Sequence, residues 1–221
     1  RQKLIGKNIF TLDLSRLKKQ IEQEAGDSEC VAIERKLPAE LRVSLRKRIA
    51  VAQVKFLRFH LVDGSGVLMP GASDVAFEGL PVIQGLAYTL QKANAKYYSL
   101  EEARKAIILI QEKKNLASLK EYTLLKITLA KQKTSTFILS ENFLMKDLSK
   151  NVLAKAQVEV KFDPLKPVET IRVLGLLLSK RKLAAFSQGE NKDSLGGIEY
   201  IDLTNTNTPI VLEKKAKDAS R

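Results

Sequence analysis

VAIERKLPAELRVSLRKRIAVAQV, residues 31–54, decides the fold. Two alternating segments, 31–35 and 41–54, flank Leu37-Pro38-Ala39-Glu40. In the second segment Leu41, Val43, Leu45, Ile49 and Val51 share one parity, while Arg42, Ser44, Arg46 and Arg48 share the other. Side chains alternate between the faces of a strand, so the two sets predict one buried and one wet surface. Lys47 interrupts the pattern, as an edge position or a bulge allows. Pro38 has no amide hydrogen and belongs in the connection, which makes the stretch a hairpin.

Before the hairpin, residues 11–25 read as a helix capped by Asp13, with Leu14, Leu17 and Ile21 inward and Gly26 after its end. After it, residues 56–62 form a third extended segment. Asp63-Gly64-Ser65-Gly66 then turns the chain into Val67-Leu68-Met69. The text loosens over 70–96. A second helix starts at Ser99, which has capping-box spacing to Glu102 and is followed by the stripe Leu100, Ala103, Ala106, Ile107 and Ile110. Lys113 and Lys114 close this helix, where positive charge suits the dipole.

Residues 122–130 and 136–139 are strand-like around Lys131-Gln132-Lys133, and 143–156 reads as an inserted segment. Val158, Val160 and Phe162 mark a short strand that Asp163-Pro164 ends. A third helix has Pro167 in its first turn and Val168, Ile171, Leu174, Leu177 and Leu178 inward. A polar loop over 187–197 leads to two last strands, 198–203 and 209–212. The class is α+β, with short helices on mixed or antiparallel sheets.

The chain has 221 residues, 44% of them hydrophobic, and a formal net charge of +13. Such a charge favours nucleic acid, anionic lipid or an acidic protein as neighbour. No run approaches the roughly 18 apolar residues that span a bilayer, and no signal peptide is visible. The chain begins at Arg1 rather than at methionine, which reads as a fragment or a processed product. Cys30 has no partner for an internal disulfide and reads as a small buried hydrophobe.

Candidate chemistry is sparse. His60 is the only histidine and lies in an apolar-aromatic strand, which rules out a histidine-pair metal site and argues against a Cys-His nucleophile. There is no nucleophile elbow, zinc-protease motif or phosphate loop. Glu101 and Glu102 fall in a first helical turn, where acids are stabilised without any catalytic role. No catalytic residue, cofactor or metal is expected. The basic face of Arg35, Lys36, Arg42, Arg46 and Arg48 lacks the aromatic platforms or recognition helix that nucleic acid requires. It reads as a solvated face near an anionic membrane.

Ordered landmarks span nearly the whole chain. They run from Asn8-Ile9-Phe10-Thr11-Leu12-Asp13 through residues 33–43 to Arg48-Ile49-Ala50-Val51-Ala52. They continue with Leu61-Val62-Asp63-x-x-Gly66, Leu80-Pro81-x-x-x-Gly85 and Tyr200-Ile201-Asp202-Leu203. This order resembles the bacterial division proteins FtsQ and DivIB, whose POTRA domain carries an arginine-containing strand, a Leu/Trp-Pro-x-x-Leu turn and a strand ending in R/Y-x-P-x-A. Ala50 stands where the family often has proline, and 140–157 departs from the family pattern.

The resemblance implies a partial POTRA domain over 1–57, its first strand and first helix preceding Arg1. A β domain with two to three helices over 58–213 and a charged tail over 214–221 would follow. It implies a non-enzymatic divisome scaffold, anchored in the cytoplasmic membrane with this part on the extracytoplasmic side. FtsB/DivIC-like and FtsL-like proteins would bind the last strand, at Thr208, Ile210, Val211, Leu212, Glu213 and Lys214, by strand addition. Pro209 fits there only if its missing amide faces away from pairing. Tyr200, Lys180 and Arg181 are weaker partner-binding candidates, and Arg35, Arg42, Arg46 and Arg48 form the POTRA surface, through which other divisome proteins would also make contact. A POTRA-containing outer-membrane assembly or secretion component and a basic nucleic-acid module are the alternatives.

Overall fold

Asp13 starts the first helix. Its Oδ1 accepts the amides of Ser15 and Arg16 at 2.9 and 3.1 Å, satisfying donors that a helix start leaves open. In the computed structural model, which describes residues 8–86, 98–130, 134–147, 150–187, 195 and 197–214, this helix is α1 (Leu14–Glu24). It buries Leu17 and packs on β1 (Ser28–Lys36). The predicted hairpin follows. β1 and β2 (Glu40–Lys47) run antiparallel, in register from Ser28↔Lys47 to Lys36↔Glu40, with a bulge between Cys30 and Ala32. Among the described residues they form a sheet of their own.

The long alternating strand expected over 41–54 is instead two strands in two sheets. β2 ends at Lys47, Arg48 and Ile49 belong to no strand, and β3 (Ala50–Lys55) enters the other sheet. Burial at the break is the reverse of the parity expectation: Arg48 is buried and Ile49 is 76% exposed. Val43 and Leu45, expected inside, are exposed as well. Two strands with α1 on them enclose little beyond Leu17 and Cys30, so β2's apolar parity goes largely uncovered. β3, which lies before the division expected at residue 57, pairs with β4 and β6 in the large sheet.

That large sheet has ten strands among the described residues, in the order β12-β11-β10-β9-β8-β6-β3-β4-β5-β7. They are β4 (Phe59–Asp63), β5 (Val67–Leu68), β6 (Val82–Gln84), β7 (Tyr98–Ser99), β8 (Tyr122–Thr128), β9 (Ser135–Asp147), β10 (Lys150–Phe162), β11 (Ile198–Leu203) and β12 (Ile210–Glu213), besides β3. The pairs β3–β6, β6–β8 and β10–β11 are parallel and the others antiparallel. Each of the last two parallel pairs is joined by a helix, α2 (Glu101–Asn115) between β6 and β8 and α3 (Pro167–Ser187) between β10 and β11. Both crossovers step one way across strands that point one way, so a common right hand puts both helices on one face. Accordingly α2 packs against α3.

The core lies beneath these helices. Ile107, Leu109 and Ile110 of α2 and Ile171, Leu174 and Leu178 of α3 meet Phe137, Leu139, Val158, Val160 and Phe162 of the sheet. Phe137 and Phe162 meet edge to face with ring centroids 5.3 Å apart. Gly175 lets α3 close on the turn after α2, where a Cβ would come within 2.8 Å of Ser118 Oγ. Gly85 is required more strictly: φ is 84°, and a Cβ would meet Leu129 O at 1.9 Å. At this approach the Leu129 amide donates to Gln84 O at 2.9 Å.

Two local expectations are corrected. Ser99 lies in β7 and does not cap α2; Leu100 takes the N-cap position, its amide donating to Gly66 O at 2.7 Å. Residues 143–156 are no separate insertion but the far half of the β9–β10 hairpin, paired from Ser135↔Phe162 to Asp147↔Lys150. The turn at 131–133, most of the loop over 187–197 and the tail after Lys214 lie outside the described residues.

Candidate partner-binding edge

β12 is the last strand of the large sheet, and its side away from β11 is unpaired among the described residues. The turn before it is built from side chains that mimic backbone. Asp202 Oδ1 accepts the Thr204 amide and hydroxyl at 2.9 and 2.6 Å, and Asn205 Oδ1 accepts the Asn207 amide at 3.1 Å. Burial raises the Asp202 carboxyl, but the Thr204 bonds and the Lys161 charge outweigh it, so the group sits below its ordinary value.

Beyond the turn the strand's polarity is set by alternation. The Lys214 amide donates to Gly197 O at 2.7 Å. Amide direction reverses at each residue of an antiparallel strand, so Leu212 and Ile210 also aim theirs at β11. Val211 and Glu213 therefore direct their amides and carbonyls outward. Pro209 falls in that outward set, where its missing hydrogen costs no pairing with β11.

The two faces of the edge differ. Val211 is opposite Ile201 and packs on the core beneath α3. On the same face Glu213 Oε1 accepts from Arg181 Nη1 at 2.7 Å, tying α3 to β12. The other face carries Ile210, 57% exposed, with Leu212 and its register neighbour Tyr200. Lys161 Nζ lies 4.6 Å from the Tyr200 ring centroid, close enough for a cation–π contact. Sequence reasoning missed Lys161, because its register with Asp202, and hence its place beside Tyr200, is set by the β10–β11 pairing.

Of the residues predicted for partner binding, Ile210, Val211, Leu212, Glu213, Tyr200 and Arg181 thus converge. Thr208 is exposed in the turn, its amide donating to Asn205 O at 3.2 Å; Lys214 closes the strand; Lys180 is exposed on α3. Neighbouring Lys182 pairs with Glu121 on the β8 side of the helix.

The predicted basic surface does not hold together. Arg35 is used as a clamp, donating through Nε to Ile9 O at 2.8 Å and through Nη2 to Leu12 O at 2.7 Å. Arg46 donates to Glu29 Oε2 at 2.8 Å, and Arg42 stands opposite Glu34 in register. Arg48 is not on the surface, because its guanidinium is buried against the Asp63 carboxylate. His60 packs tilted on Phe56 and is held below its ordinary value by burial, with help from Arg58. No group of three or more metal-ligating side chains occurs among the described residues. No helix among them is long and apolar enough to cross a membrane. Compared with known proteins, the chain matches no family model and no curated protein.

Proposed function

We propose that this chain is a non-enzymatic scaffold of bacterial cell division, the extracytoplasmic part of an FtsQ/DivIB-like septum-formation protein anchored in the cytoplasmic membrane. It holds FtsB/DivIC-like and FtsL-like partners by strand addition at β12. One observation carries the reading: the sheet ends on a strand whose outward amides are unpaired among the described residues, beside exposed Ile210 and Leu212. An incoming segment extends the ladder at Val211 and Glu213, and its alternate side chains meet an apolar row on one face and the Arg181–Glu213 pair on the other. The helix-strand-strand order of α1, β1 and β2 supports the POTRA part of the resemblance.

Ile210→Glu and Leu212→Glu test the reading by calorimetric titration with an FtsB–FtsL-type pair. Each charge enters an exposed apolar row, so the circular dichroism spectrum stays unchanged while affinity falls about tenfold or more, as for side chains at the centre of an interface. Undiminished binding by both variants would sink the proposal.

A further inference from the structure

Arg48 occupies a position that neither sheet explains alone. It follows β2 and precedes β3, so it belongs to the short link between the two sheets. Its amide donates to Asp27 O at 2.9 Å, anchoring the link to the turn between α1 and β1. Its guanidinium pairs with the Asp63 carboxylate, with the two side chains 2% and 7% exposed. Asp63 in turn organises the turn after β4, where its Oδ1 accepts the amides of Ser65 and Val67, each at 2.9 Å. That turn is docked on α2: the Leu100 amide donates to Gly66 O at 2.7 Å, and Gln111 Nε2 to Gly64 O at 3.3 Å. One residue therefore connects the first helix and hairpin to the large sheet and its first crossover helix. The rest of the link is open, since Ile49 is 76% exposed.

A buried ion pair is a poor general source of stability, since desolvating two charges offsets most of their attraction. It can instead fix one arrangement, because an arrangement that keeps one partner buried without the other strands a charge away from water. We propose that the Arg48–Asp63 pair is a latch that sets the orientation of the α1–β1–β2 unit on the ten-stranded sheet. With the pair broken, the two units reorient about residues 47–49 while each keeps its own fold.

Asp63→Asn isolates the latch. The asparagine carbonyl oxygen still accepts the Ser65 and Val67 amides, while the charge facing Arg48 is gone. Arg48→Met removes the cation from the other side and leaves Asp63 to its turn. Residual dipolar couplings of the ¹⁵N-labelled chain report the alignment of each unit separately. In the wild type one alignment tensor fits the amides of both units. In both variants the tensor magnitude of the smaller unit falls roughly twofold relative to the larger, as expected for a freed hinge, with chemical shifts inside each unit retained. Arg58→Ala, which breaks the exposed pair with Asp74, serves as a control and leaves the common tensor intact. A shared tensor in both latch variants overturns the proposal. Loss of the smaller unit's dispersed shifts also overturns it, because Arg48 would then be a folding residue and not a latch.

Discussion

β2 and β12 both have an open outer side among the described residues, and they are guarded in opposite ways. β2 has eight residues, seven of them exposed, with Arg42, Arg46 and Lys47 along its length. If two copies met antiparallel, centred on Ser44, each Arg42 would face an Arg46, an unfavourable like-charge pairing. β1 matches β2's arginines instead, with Glu29 opposite Arg46 and Glu34 opposite Arg42. β12 has four residues, and Ile210 and Leu212 face solvent without a cation between them. Charge along an edge discourages strand pairing, and an apolar edge invites it. The long edge is therefore defended by charge, and the short one is not.

The largest effect that separates the two regions concerns what lies beneath each edge. Phe162 is wholly buried under α3, so Phe162→Ala should destabilise the large sheet by about 3–5 kcal/mol. Leu45 is 53% exposed, and Leu45→Ala should stay within about 0.5 kcal/mol. Urea unfolding of both variants checks this. A large loss at Leu45 would mean that β2's apolar side is covered after all.

The second effect concerns backbone. Because Val211 turns its amide outward and Leu212 turns its own toward β11, proline separates the two roles. Val211→Pro should weaken partner binding about tenfold, the loss of one net intermolecular hydrogen bond. It should lower the melting temperature less than Leu212→Pro, since it gives up part of Val211's packing on the core but no bond to β11. Leu212→Pro should lower the melting temperature, since it removes a ladder bond within the sheet. Calorimetry and thermal melts on the pair decide it. A lower melting temperature for Val211→Pro than for Leu212→Pro would show the amide alternation to be reversed.

Much of this architecture is legible in the chain because it rests on local periodicity. Ile171, Leu174 and Leu178 of α3 and Val158, Val160 and Phe162 of β10 are buried as their spacing predicts. Asp13 caps α1 as its position predicts. What period alone does not carry is which sheet a strand joins. The parity of 41–54 reads straight through Arg48, whose partner lies 15 residues on and whose burial comes from that pairing. Ser99 has the spacing of a cap, but the strand pairing of Ser99 with Val67 claims its backbone first. At the candidate site, Ile210 and Leu212 are legible as members of a last strand, but the face they share is not singled out from Val211 and Glu213. The Arg181–Glu213 contact spans 32 residues and needs the crossover to bring α3 beside β12.

The smallest effect lies on the defended edge and is a matter of pH. The Arg46 hydrogen bond holds the Glu29 carboxyl below its ordinary range; burial opposes this, and the charges of Arg46, Arg48 and Lys18 add to it. A carboxyl depressed in the folded state contributes stability that is present above its unfolded value, about 4.3 for glutamate, and is lost as pH falls through the folded value. Arg46 is largely exposed, so the contribution is minor and salt-screened. Arg46→Ala should then unfold at slightly lower urea than the wild type near neutral pH, and the two midpoints should converge in acid, once Glu29 is protonated in both. A gap that persists in acid would assign Arg46's role to its aliphatic stem packing along β1. The charge guarding β2 would then be free to meet an outside partner, and the contrast between the two edges would narrow.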